Sequence, residues 1–327
     1  MLHITNGDSA VEKIRAAGVP GEVLPWRDVL HEGPVPAGVP LDDLSAIRAR
    51  FLAGRGWADV AEVASGFAER DAALRSYRDH DEVVLWFEHD LYDQLQLAQL
   101  LDFFAGEETG ETRVMLLVGD EYLGLSAPER LAERFGGRRA AGEAEFAEAR
   151  AAWGAFAGAD PRDIETVVAR GTPALPWMSP ALRRHLEQFP SVRHGLSRSE
   201  RQALEAIAPG PVSIGDAYRA SHHDREEAVW LGDLTFASYL EDLSAGHLAL
   251  VTLEDGARVA APRAGEDAAA FFGQRVVLTD AGRAVLEGRE DRVRLNGIDR
   301  WLGGVHLKGR EIAWRWDEEA GRIVAGG

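Results

Sequence analysis

Three short segments concentrate the residue types that carry chemistry. They are Asn6-Gly7-Asp8-Ser9, then Arg27-Asp28 with His31-Glu32-Gly33, then Glu88-His89-Asp90 with Asp93. Each follows an apolar run that reads as a β-strand. Carboxylates and imidazoles in such places can exchange protons with a reacting group. They can also hold a divalent metal, where this ligand mixture suits zinc, manganese or iron. No H-E-x-x-H spacing is present, so the metal reading rests on ligand type alone. Side chains alternate along a strand end, so Glu88 and Asp90 are expected to point together and His89 away. A strand, a glycine turn and a helix N-terminus at 6–9 make an anion site through exposed N–H groups and the helix dipole. Arg27 could then clamp the anion in a bidentate manner. On this reading Asn6, Gly7, Asp8, Ser9, Arg27, Asp90 and Asp93 bind a small anionic or polar ligand. Glu88, His31, His89 and Asp28 supply acid–base or metal-ligand groups. Plainer roles compete with these. Asp8 or Ser9 could cap the first helix, worth about 1 kcal/mol. Asp90 could cap the next helix, and Glu88 could pair with Arg27.

The elements that must position these residues alternate. Strands are expected at Leu2–Thr5, Glu22–Trp26, Glu82–Phe87 and Val114–Val118. Between them come helical patterns at Ala10–Ala17, Asp42–Leu52, Ala58–Arg78 and Tyr92–Phe104. Further helices are expected near Pro128–Phe135 and Glu143–Phe156. The run Val83–Phe87 is continuously apolar, as in a strand buried on both faces. This alternation implies an α/β fold, a Rossmann-like doubly wound, mostly parallel sheet with helices on both faces. Ligands of such sheets bind outside the carboxyl ends of the strands, at the switch point. Trp26, Trp86 and Phe87 are read as core. Residues 1–158 form this ligand-binding domain. Residues 159–194, broken by Pro161, Pro173, Pro176 and Pro180, read as a helical connector.

The pattern changes from Leu196. Helices are expected at Ser197–Ala208, from Val212 onward, and at Asp224–Ser244. Short strands follow at His247–Thr252 and Arg275–Leu278, with a closing helix at Thr279–Leu286. Three helices and a two-stranded wing make residues 195–327 winged-helix-like. A tail with Trp301, Trp314 and Trp316 is expected to form a hairpin that packs on this domain.

Composition narrows the function classes. The chain of 327 residues carries a formal charge of −18, which repels phosphate backbones unless a basic patch is set apart. Residues 196–292 hold 10 Lys and Arg against 17 Asp and Glu, so the winged-helix-like part offers no such patch and nucleic acid is an unlikely partner. There is no cysteine, which excludes disulfides, thiolate metal sites and cysteine nucleophiles. No signal peptide or membrane span is read, so a cytoplasmic location without membrane contact is expected.

Two resemblances follow from these residues. Gly7-Asp8-Ser9 after the first strand resembles the nucleophile block of SGNH or GDSL hydrolases, which implies Ser9 as a nucleophile. Those enzymes place an Asp-x-x-His late in the domain. Here the Asp-x-x-His of the α/β half is Asp28 to His31, after the second strand, so the order departs from that family. The segments HITNGDS at 3–9, LPWRDVLHEGPVP at 24–36 and LWFEHDLYDQLQL at 85–97 resemble the bacterial domain of unknown function 1835 (DUF1835). LNGIDRWLGGVHL at 295–307 is similar to segments of its longer members. That resemblance implies no activity, but its motifs coincide with the three strand-end loops.

The residues therefore suggest an enzyme, a hydrolase or transferase, acting on a small polar or phosphorylated molecule. A ligand-sensing regulator, or a module that binds a protein partner or a second copy, is the alternative.

Overall fold

The computed structural model describes residues 1–326. Its first half contains β1 (Leu2–Thr5), α1 (Asp8–Ala16), β2 (Glu22–Pro25), β3 (Gly33–Pro34), α2 (Leu41–Gly54) and α3 (Val60–Arg75). There follow β4 (Glu82–Glu88), α4 (Leu91–Ala105), β5 (Arg113–Gly119), α5 (Pro128–Gly136) and β6 (Arg139–Ala140). Five strands form a mixed sheet in the order β2-β1-β4-β5-β6. The first four run parallel, and β6 joins antiparallel. Every residue of β4 is buried, because the strand is central and covered on both faces. Val83, Leu85 and Phe87 pack with Leu2, Ile4 and the apolar side of α4. Val84 and Trp86 turn the other way, onto Ala10 and Ile14 of α1 and Leu131 of α5. The chain leaves β1 for β2 on one side and reaches β4 on the other. Connections that diverge in this way open a crevice at the carboxyl ends of β1 and β4.

Helices α6 (Glu143–Ala157), α7 (Arg162–Arg170) and α8 (Met178–Leu186) follow. α4 lies between the sheet and these helices, and most of its residues are buried. Next come α9 (Arg198–Ile207), β7 (Val212–Ser213), α10 (Ile214–Tyr218), α11 (Asp233–Ser244) and β8 (Val251–Leu253). After these are α12 (Ala268–Gly273), β9 (Arg275–Leu278), α13 (Asp280–Leu286) and α14 (Arg292–Asn296). β7, β9 and β8 make a small antiparallel sheet. The helix expected at 224–244 starts only at Asp233. Residues before it are held from outside instead. Val229 N–H donates to Tyr122 Oη at 2.6 Å, and Leu231 N–H to His222 Nε2 at 2.8 Å. Amides satisfied in this way have no need of a helical ladder.

The tail departs from expectation. It makes two hairpins, β10 (Ile298–Gly303) with β11 (Val305–Gly309), and β12 (Trp314–Asp317) with β13 (Arg322–Ala325). β10 does not stay with the elements that precede it. It pairs parallel with β3, placing Leu302 against Gly33 and Gly303 against Pro34. The turn after β10 presses on the end of α6, where a Cβ at Gly304 would lie 1.9 Å from the Ala157 carbonyl oxygen. Only glycine fits such an approach. Among the described residues, no helix is long and apolar enough to cross a membrane.

Candidate functional site

The crevice begins with Asn6, the first residue after β1. Its side-chain amide donates to both oxygens of Asp93, at 3.1 and 2.9 Å, and to Glu88 Oε1 at 3.2 Å. One short side chain thus joins the ends of two neighbouring strands. Glu88 ends β4, and its Oε1 also accepts the Leu123 N–H at 2.7 Å. Asp93 Oδ1 accepts the Glu88 N–H at 2.6 Å. Asp90 caps α4 by accepting the Asp93 N–H at 3.0 Å. Tyr92 donates its hydroxyl to the Asn6 carbonyl at 3.1 Å.

Glu88, Asp90 and Asp93 are all buried and offer carboxylate oxygens within 4.8 Å of one another. Among the described residues none of the three forms an ion pair. Burial pushes Asp90 up to about 8, and the Glu88 charge adds to the shift. Burial and the two neighbouring carboxylates hold Asp93 well above the usual range. Glu88 is raised by burial, against the Leu123 and Asn6 hydrogen bonds. Three such groups cannot all carry charge in a dry site. They share protons or hold a cation. Glu88 Oε2 accepts no hydrogen bond from the described residues, so it retains its lone pairs for a proton or a metal. An all-oxygen donor set suits magnesium, manganese or calcium.

A cavity of about 440 Å³ opens on Glu88. Asn6, Gly7, Asp8, Ser9, Tyr92 and Tyr122 are among its walls. α1 starts here with Gly7 as its N-cap and without a side-chain cap. The expected cap by Asp8 or Ser9 is not made. Asp8 is the first helical residue, and its carboxylate takes two hydrogen bonds from Arg27, at 2.9 and 2.5 Å. The first-turn N–H groups thus have no side chain to satisfy them. Arg27 is bound to Asp8, not to Glu88. It is also the sole non-glycine residue with positive φ among the described residues, at 40°. Such a conformation costs about 1–2 kcal/mol, and strain of this kind gathers at functional sites.

Other expected site residues lie apart. Asp28 is fully buried, and its Oδ1 accepts from Arg48 Nε and Nη2 at 3.0 and 2.9 Å. His31 is buried edge-on against Trp230, with ring centroids 4.7 Å apart. Neither hydrogen-bonds Ser9, which is exposed at the crevice rim. His89 turns away from Glu88 as strand alternation requires, and its ring lies 5.5 Å from that of Tyr122. The imidazoles are therefore not part of the carboxylate cluster, and the zinc or iron reading loses its nitrogen ligands. The sequence reading passed over Tyr92, Tyr122 and His223, which also line the cavity. Tyr122 follows β5, the fourth parallel strand, and the strand-end rule applied once more would have found it.

No family model matches this chain, and no curated protein matches it.

Proposed function

We propose that the crevice between β1 and β4 binds a small phosphorylated or otherwise anionic molecule and acts on it as a hydrolase or transferase. One observation carries this reading. Three buried carboxylates lie together at the strand ends, Asn6 ties two of them, Glu88 and Asp93, and Glu88 faces the same cavity as the uncapped first turn of α1. The amides of that turn favour an anion. Glu88, Asp90 and Asp93 would hold a hard divalent cation, which when bound would polarise a phosphoryl or carbonyl oxygen or acidify a water. With no metal bound, Asp90 keeps a proton near neutral pH, and a cation would displace that proton on binding. Asn6 holds Glu88 and Asp93 in register. Arg27, once released from Asp8, would clamp the anion.

We read the main sheet as Rossmann-like and doubly wound, with domains at 1–158, 159–194 and 195–327. Helices on both sheet faces support the first part. The succession α9, α10, α11, β8, β9 supports a winged-helix-like arrangement in the last. We keep the DUF1835 resemblance on its motifs. What supports treating them as one unit is that residues 33–34 and 302–303 lie side by side as paired strands.

A second reading, a ligand-sensing regulator, is favoured by one contact. Val229 of the last region lines the crevice, and Trp230 lines the neighbouring cavity. A ligand there would be felt by the C-terminal half.

Thermal melting with Mn²⁺, Mg²⁺ and ribose 5-phosphate tests the main reading. A ligand at about 100 times its Kd should raise Tm by several degrees. Asp93→Asn should abolish the response to the metal. Unchanged melting of the wild-type protein with all three would remove the crevice as a ligand site.

A further inference from the structure

Next to the crevice lies a second cavity, of about 530 Å³. Tyr92 lines both. Arg27 lines the second and Asp8 the first, so the Arg27–Asp8 pair bridges the two rims. The walls of the second cavity differ in kind. Trp57, Phe67, Tyr92 and Trp230 give it large flat surfaces. Trp57 is fixed by its indole N–H, which donates to Ser238 Oγ at 2.9 Å.

Two residues of its wall also carry unused hydrogen-bonding groups, sealed just behind the surface. Both ring nitrogens of His31 and the indole N–H of Trp230 are buried without a partner. Burial holds His31 well below its usual range, so the ring is neutral, with one donor and one acceptor. Buried tryptophan N–H groups ordinarily find an acceptor. Those of Trp26 and Trp86 do, with Gln99 Oε1 at 2.7 Å and His3 Nδ1 at 3.0 Å. A simple sugar phosphate would fill the crevice and leave the aromatic cavity empty. An aliphatic chain would fill the cavity and leave His31 and Trp230 unsatisfied. A flat ring with both donor and acceptor edges answers both features.

Resting on the function proposed above, we propose that the ligand is a nucleoside phosphate, its phosphate at the α1 N-terminus and its base in the aromatic cavity. The ribose passes Tyr92 and the shared rim that carries Arg27 and Asp8. A small turn of Trp230 brings the His31 edge to the base.

Isothermal titration of the full chain with the four ribonucleoside 5′-monophosphates tests this, beside ribose 5-phosphate, phenyl phosphate and inorganic phosphate. At least one nucleotide should bind about tenfold or more tightly than ribose 5-phosphate and phenyl phosphate. Gly66→Leu supplies the second arm. Gly66 lines the aromatic cavity from α3, and a Cβ there meets nothing within 4 Å. Leucine is the better helix former, so the variant should fold and fill the cavity. It should remove the nucleotide's advantage and leave ribose 5-phosphate binding unchanged. Ribose 5-phosphate or phenyl phosphate binding as tightly as every nucleotide would overturn the nucleotide assignment and leave the crevice reading standing. Failure of every phosphate compound to bind would overturn both.

Discussion

At the scale of single residues, the carboxylate cluster sets a pH dependence. Asp90 titrates near 8 in the folded protein and near 3.9 when unfolded. The proton it binds on folding therefore stabilises the protein fully below about pH 4, and that stability is lost as pH rises through 8. Asp93 and Glu88 act in the same sense. Buried imidazoles act in the opposite sense. His185 and His222 are both lowered to about 3, chiefly by burial. Their contribution is present above the unfolded value of about 6.5 and is lost as pH falls toward 3. Between about pH 7.5 and 8.5 these histidines are neutral in both states, so the slope in that window belongs to the acids. Without added metal, Tm is expected to fall across it. Asp93→Asn should flatten the fall, and so should Mn²⁺ with the wild-type protein. Parallel melting curves for the variant and the parent would contradict the assignment.

Among the elements, the loop between β2 and β3 shows how a charged segment becomes structural. Arg48 of α2 holds Asp28 by its Nε and Nη2, and donates to the carbonyls of Val29 at 2.8 Å and Glu32 at 2.6 Å. Gln96 of α4 donates to the Asp28 carbonyl at 2.9 Å. These bonds fix the backbone that carries Arg27 on one side and His31 on the other. Arg48→Met would leave a buried carboxylate alone and should lower stability by about 3–5 kcal/mol in urea unfolding. The double variant Arg48→Met with Asp28→Leu should recover much of that loss, because no lone charge remains. If the single variant unfolds with the parent's midpoint, this pair does not anchor the loop.

For the whole molecule, the decisive contact joins chain segments far apart in sequence. β3 pairs with β10, and Arg300 of β10 donates to Glu32 and to the Tyr239 hydroxyl, both at 2.6 Å. The loop after β2, α11 and the tail are thereby drawn to one place. Gly304→Val should break this join, since its Cβ would enter the Ala157 carbonyl. The expected loss is about 3 kcal/mol or more, with faster proteolysis after residue 290. Tail cleavage at the parent's rate would show that the pairing contributes little.

What the sequence determined by itself was local. Apolar periodicity set the four parallel strands and most of the helices, since burial on two faces leaves a continuous apolar run. Strand alternation placed Glu88 and Asp90 together and His89 apart, and Asp90 was readable as a helix cap. Asp28 and His31 read as equally chemical, because nothing near them in the chain shows Arg48 or Trp230. The short Gly33–Pro34 strand was invisible for the same reason, as its partner lies at 302–303. The late start of α11 depends on acceptors supplied by Tyr122 and His222. Partner choice at a distance is decided by packing, where a buried polar group takes whichever partner the tertiary structure brings within hydrogen-bond reach.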